Sequence, residues 1–108
     1  DPQAAASLAR RAAEALDAPG PVPSHRDRDA VYSTLVGALF AAGATDEVRR
    51  WLEEPQVRAA LGDALLLARA RLARLDGDDA AARRLADDYL KLNPGDDWAR
   101  RWREELGR

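Results

Sequence analysis

An all-α fold is predicted by the composition of the chain and by the spacing of its apolar residues. Ala (24 residues), Arg (16) and Leu (15) dominate the 108 residues, and all three are strong helix formers. Apolar residues recur at intervals of three and four positions, which is the period of an amphipathic helix. Charged residues make up 33% of the chain and hydrophobic residues 46%, a balance typical of a folded protein. We therefore expect one α-helical domain with about six helices over residues 1–108.

The first helix is expected over residues 1–18, because Asp1 is a good N-cap and Pro2 suits the first helical position. A Pro-rich connector follows over residues 19–24, and a Pro-rich ligand for another domain is the alternative interpretation of that segment. Ser24 is the expected cap of a second helix, which ends near Gly43. The apolar positions of the first helix are predicted to be Ala5, Leu8, Ala12, Ala15 and Leu16.

The remaining helices are delimited by Gly and Pro. A short third helix ends before Pro55, since Pro cannot continue a helix. Pro55 then begins a helix of about five turns that ends at Gly77, with a kink expected at residues 62–63. Another helix follows and stops at residues 93–95. The last helix carries Trp98 and Trp102 on one apolar stripe, four residues apart.

Several classes of function are excluded by composition and spacing. The formal net charge of −2 argues against nucleic-acid binding, which needs a surplus of Lys and Arg on one face. The chain has no Cys, and its only histidine, His25, has no suitably placed nucleophile. There is no Gly-rich phosphate loop, no metal-spaced His or Glu pair and no apolar run long enough to span a membrane. The sequence therefore predicts no catalytic residue, no cofactor, no metal and no membrane insertion.

A repeat of 34 residues is indicated by Gly43 and Gly77, each of which lies between an apolar helix and an amphipathic one. A helix–turn–helix repeat of this length resembles the tetratricopeptide repeat. Ala82 stands where that family keeps a small residue, and Pro94 stands at its terminating Pro. In the first unit the positions of the family's Trp, Leu and Tyr are occupied by Tyr32, Leu35 and Leu39.

The match to the tetratricopeptide pattern is degenerate. Val36 and Ala70 replace the usual Gly of the first helix, and Pro55 interrupts the first unit early. The resemblance implies a tetratricopeptide-like stack of antiparallel helix hairpins, with two hairpins over residues 25–96 and a capping helix over residues 97–108.

The resemblance also implies a protein–protein interaction module that binds a peptide or protein segment on a concave helical surface. In tetratricopeptide stacks the first helix of each unit lines the groove, and Arg71 and Arg74 would there bind acidic side chains or a chain-terminal carboxylate. The alternative is that these two arginines lie on a solvent-exposed face of the helix and form ion pairs with nearby acidic residues. The family's carboxylate clamp, which binds the C-termini of chaperones, is not expected here, because its groove-facing Lys and Asn residues are absent. The predicted partner-binding residues are Ser33, Gly37, Phe40, Leu67, Arg71 and Arg74.

Besides nucleic-acid binding by the arginine face, against which the net charge argues, two other roles remain open from the sequence. One is an oligomerisation domain that self-associates through Trp98, Trp102 and the Ala-rich first helix. The other is a regulatory or substrate-positioning domain of a larger enzyme. The absence of Met indicates a processed form or a piece of a longer protein. No compartment is indicated by the sequence, although the cytoplasm is favoured over an exported fragment.

Overall fold

The protein is all-helical in a computed structural model that describes residues 1–20 and 24–107. No strand occurs in that part of the chain, which confirms the all-α class predicted from the sequence. The chain divides into two compact units, Asp1–Gly62 and Asp63–Arg108. The helices are α1 (Pro2–Ala15), α2 (His25–Ala41), α3 (Thr45–Leu52), α4 (Pro55–Leu61), α5 (Ala64–Leu75), α6 (Asp79–Leu92) and α7 (Asp97–Glu105).

Helix α1 begins at Pro2 because the Asp1 carboxylate accepts a hydrogen bond from the Gln3 amide at 2.9 Å. Its packing face differs from the prediction. The buried residues are three other alanines, while Leu8 is 66% exposed. Helix α1 packs against α2, and small buried side chains at such a contact allow two helices to approach closely. The buried alanines of α1 are Ala6, Ala9 and Ala13.

Helix α2 provides the core of the first unit and packs against α1, α3 and α4. The Ser24 hydroxyl caps it by accepting a hydrogen bond from the Asp27 amide at 3.1 Å, as the sequence predicts. Its side chains Leu35 and Leu39 are fully buried, as are Val48 of α3 and Val57 of α4. The predicted connector lies partly at residues 21–23, which are outside the described residues.

The turns that follow α2 and α5 have the same hydrogen bonds, 34 positions apart. The amide of Ala44 donates to the Leu39 carbonyl at 2.9 Å, and the amide of Asp78 donates to the Ala73 carbonyl at the same distance. The glycine within each turn has a positive φ, 73° in the first turn and 82° in the second. Both turns are therefore left-handed helix ends, for which glycine is the favoured residue.

The expected long helix between Pro55 and Gly77 is instead two helices, so the described residues contain seven helices rather than about six. The break is caused by Gly62, whose φ of 55° and ψ of −126° lie outside helical geometry. Helix α4 ends there, and α5 begins at Ala64. A kink was the sequence-based expectation at this position, and a complete interruption is what the backbone shows.

In the second unit, α6 packs against both α5 and α7. Ala82 and Ala86 of α6 and Ala70 of α5 are completely buried in one cluster with Leu106, and the Trp102 side chain packs against this cluster. The Asn93 side chain after α6 donates to the Asp63 carboxylate before α5 at 3.4 Å. Helix α7 thus covers the apolar side of α6.

Candidate functional site

Two tryptophans on α7 form the most exposed aromatic surface described in the second unit. Trp98 is 50% exposed, although most tryptophans are largely buried. Its ring is stacked on that of Trp102, with ring centroids 6.1 Å apart and ring planes 8° from parallel. The Trp102 side chain packs against the buried cluster of the second unit, whereas the Trp98 side chain is half exposed to solvent. The two rings are therefore a rigid apolar surface attached to the packed part of the unit.

Arg71 of α5 completes this surface. Its guanidinium carbon lies 5.3 Å from the Trp98 ring centroid, which is within the range of a cation–π contact. Burial lowers the pKa of Arg71, but the guanidinium stays charged because an Arg side chain is not deprotonated in proteins. The contact holds a half-buried cation beside a half-exposed indole.

The position of α7 is determined by hydrogen bonds around Asp96. The Tyr89 hydroxyl donates to the Asp96 carboxylate at 2.5 Å, and the Ala99 amide donates to the same carboxylate at 3.0 Å. The Tyr89 bond lowers the pKa of Asp96, and the carboxylate in turn raises the pKa of Tyr89 to about 12. Farther along α7, Arg103 and Asp87 of α6 form an ion pair at 2.7 Å. Helix α7, which carries Trp98, is thus held in place near both of its ends.

A cavity of about 300 Å³ lies on the outer side of α7. It is lined by Trp98, Arg101, Trp102 and Glu105, and Arg71 is not among its lining residues. Neither Arg101 nor Glu105 forms an ion pair with any of residues 1–20 or 24–107. The cavity therefore has indole walls and two charges of opposite sign.

The three predicted partner-binding residues of the second unit all lie on α5. Leu67 and Arg71 are half-buried, and Arg71 contacts Trp98. Arg74 is more exposed and forms an ion pair with Asp79 at 2.7 Å. That pair matches the alternative interpretation in which Arg74 pairs with a local acid. Of the two arginines, Arg71 is the one that belongs to the aromatic surface.

The three predicted residues of the first unit all lie on α2. Ser33 and Gly37 are exposed, and Phe40 is half-buried. A Cβ atom placed on Gly37 would meet nothing within 4 Å, so the helix surface is open at that position. The shared groove that the sequence predicts from residues of α2 and α5 stays a prediction.

Two features of the second unit were missed by the sequence reasoning. One is the contact between Arg71 and Trp98, which lie on different helices and are 27 positions apart. The other is the association of Arg101 and Glu105 with the two tryptophans. Their spacing could have indicated it, because positions 98, 101, 102 and 105 share one face of a helix.

The first unit contains a second cavity, of about 310 Å³, between α1 and α3. Arg10 donates two hydrogen bonds to the Glu47 carboxylate, at 2.6 and 2.8 Å, and this pairing lowers the pKa of Glu47. Trp51 also lines the cavity and contacts Tyr32 with ring centroids 6.2 Å apart. The two best-placed charges of this cavity thus neutralise each other.

Neither a metal-binding group of side chains nor a membrane-spanning helix occurs in the part of the chain that is described. No group of three or more His, Cys, Asp or Glu side chains is placed there to hold a metal ion. His25 is exposed at the first position of α2. None of the described helices combines the length and the apolar character needed to cross a membrane.

Comparisons with protein-family models, with curated proteins and with solved structures find no match to this chain.

Proposed function

We propose that the protein is a non-catalytic protein–protein interaction module that binds a peptide or protein segment on a helical surface. The observation that carries the proposal is the Arg71 guanidinium held 5.3 Å from the ring centroid of the half-exposed Trp98. Trp and Arg are the residues most enriched at the energetic centres of protein interfaces. An exposed indole that is already fixed in place loses little entropy when a partner covers it.

The chemistry of this surface favours a partner segment with a carboxylate next to an apolar side chain. The Arg71 guanidinium has five N–H donors in a planar arrangement that suits bidentate binding of a carboxylate. Its guanidinium carbon lies over the Trp98 ring, so a carboxylate bound by Arg71 would lie beside an apolar surface. Leu67 lies one helical turn before Arg71 on α5, where it offers apolar contact to the same segment.

We further propose a tetratricopeptide-like stack of antiparallel hairpins as the architecture that presents this surface. The identical hydrogen bonds of the turns at Gly43 and Gly77 support a repeat of 34 residues. The complete burial of Ala82, at the position where the family keeps a small residue, also favours it. Pro55 departs from the pattern, because it divides the end of the first repeat into α3 and α4.

The proposal is tested by selecting a displayed library of random dodecapeptides, with free C-termini, on the purified protein. We expect enriched sequences to contain an acidic residue or to need their terminal carboxylate. Arg71→Glu is expected to weaken the selected peptides by more than about tenfold, because a charge-assisted bond becomes a like-charge contact.

Arg69→Glu is the matched control, since Arg69 is an exposed arginine on the same helix and has no ring contact among the described residues. It should retain the affinity of the wild type. Failure to enrich any peptide, or equal weakening by the two substitutions, would contradict the proposed function.

Oligomerisation is the second candidate function, and the exposure of Trp98 favours it. Large exposed apolar surfaces on a folded protein mark sites of association, and a second copy is one such partner. Both candidates use Trp98, but only peptide binding uses Arg71, so substitutions of the charged residues of α7 test oligomerisation separately.

A further inference from the structure

The outer side of α7 has the spacing of a helix-pairing surface. Trp98, Arg101, Trp102 and Glu105 occupy positions i, i+3, i+4 and i+7, which form one stripe along a helix. The same four residues line the cavity of about 300 Å³ described above. That volume is at the lower limit for small-molecule sites, so the cavity suits an inserted protein side chain better than a separate ligand.

The charges of this stripe are what identify its partner. Arg101 and Glu105 are both exposed, and neither has an ion-pair partner among the residues the structure describes. An acidic segment would be repelled by Glu105, and a basic segment would be repelled by Arg101. A surface with one positive and one negative end is instead complementary to itself after a rotation of 180°, which is the requirement for a two-fold symmetric interface.

We propose that this face binds a second copy of the same chain, with α7 packed antiparallel against α7 of the other copy. Each Arg101 then faces Glu105 of the second copy, the indole rings of Trp102 lie between the two ion pairs, and those of Trp98 lie just outside them. A helix of nine residues buries less area than a permanent dimer needs, so the association is weak and reversible. The self-association surface shares Trp98 with the proposed peptide site, but Arg71 belongs only to the peptide site, and Arg101 and Glu105 line only the cavity.

The experiment is sedimentation equilibrium of the 108-residue chain at concentrations up to about 1 mM, where weak dimers are populated. Arg101→Glu and Glu105→Arg are measured singly and as an equimolar mixture. Each single variant is expected to dimerise at least about tenfold more weakly than the wild type, because like charges then face each other. In the mixture both ion pairs are restored between unlike copies, so we expect a heterodimer at least as stable as the wild-type dimer.

Arg100→Glu is the matched control, since Arg100 lies on α7 outside the cavity and pairs with Asp97 at 2.7 Å. It should dimerise like the wild type. Circular dichroism checks that each variant keeps its helices. A wild-type chain that is strictly monomeric at about 1 mM would by itself overturn the proposal. A mixture of the two variants that associates no better than each variant alone would also overturn it. Either result would leave the peptide-binding proposal to be decided by peptide selection on the Arg71 surface.

Discussion

The break between α4 and α5 can be tested by one substitution, because the backbone conformation at residue 62 decides whether that substitution raises or lowers the free energy of unfolding. Gly62→Ala places a side chain on a residue with φ 55° and ψ −126°, a conformation that L residues rarely adopt. The added Cβ would meet no atom within 4 Å, so the cost comes from the backbone alone. Such strain costs about 1–3 kcal/mol, and the reduced entropy of the unfolded chain offsets about 0.4–1 kcal/mol of it. We therefore expect a net loss of about 1–2 kcal/mol in the free energy of unfolding.

Gly37→Ala is the matched control, because Gly37 is exposed in the interior of α2 and its Cβ would also meet nothing within 4 Å. In a regular helix this substitution stabilises by about 0.5–1 kcal/mol. Urea unfolding of both variants should therefore give changes of opposite sign, separated by about 2 kcal/mol or about 10 °C in Tm. If Gly62→Ala stabilised the protein as Gly37→Ala does, Gly62 would lie within a continuous helix and our account of the break would be refuted.

Three further predictions concern hydrogen bonds at helix ends. Tyr89→Phe removes the donor to Asp96 and should lower the free energy of unfolding by about 1 kcal/mol in urea at pH 7. The pKa of Asp96 is lower in the folded than in the unfolded state. The ionised carboxylate therefore stabilises the fold above the unfolded pKa of about 4, and this stabilisation is lost as the pH falls through the folded-state pKa. The urea midpoint of Asp96→Asn should consequently fall less steeply than that of the wild type between about pH 5 and pH 2. Ser24→Ala removes the cap of α2 and should lower the free energy of unfolding by about 1 kcal/mol. Ser33→Ala, at an exposed position in the interior of the same helix, should leave the free energy of unfolding within about 0.5 kcal/mol of the wild type.

Each of these predictions has a result that would contradict it. Unchanged stability of Tyr89→Phe would show that the hydroxyl bond contributes nothing in solution. A pH profile of Asp96→Asn that is as steep as that of the wild type would assign the acid sensitivity to other carboxylates. Equal losses of unfolding free energy in Ser24→Ala and Ser33→Ala would contradict the capping role of Ser24.

The helix ends were predictable from sequence because single residues determine them. The caps at Asp1 and Ser24 and the left-handed turns at Gly43 and Gly77 depend on short-range hydrogen bonds and on the φ angle that glycine adopts. The interruption at Gly62 was underestimated, because a glycine inside a helical pattern is often tolerated and its ψ angle cannot be obtained from spacing.

The packing faces and the site were less predictable, since they depend on contacts between helices. The buried side of α1 differs from the predicted one because seven of its fourteen residues are Ala and these spread over more than half of its circumference, so the sequence shows no single preferred face. The proximity of Arg71 to Trp98 results from the way α6 packs against both α5 and α7. Sequence reasoning identified both residues as candidates, but it gave them separate roles.

The proposed peptide site can be tested most directly by NMR titration of the protein with a peptide selected by display. The chain has three tryptophans, so the indole N–H signals act as separate reporters. We predict that the signals of Trp98 and of residues 67–74 shift on binding, while that of Trp51, which contacts Tyr32 in the first unit, stays in place. Peptide binding that shifts Trp51 and leaves Trp98 and Arg71 unchanged would contradict the proposal that this aromatic and arginine surface recognises the partner.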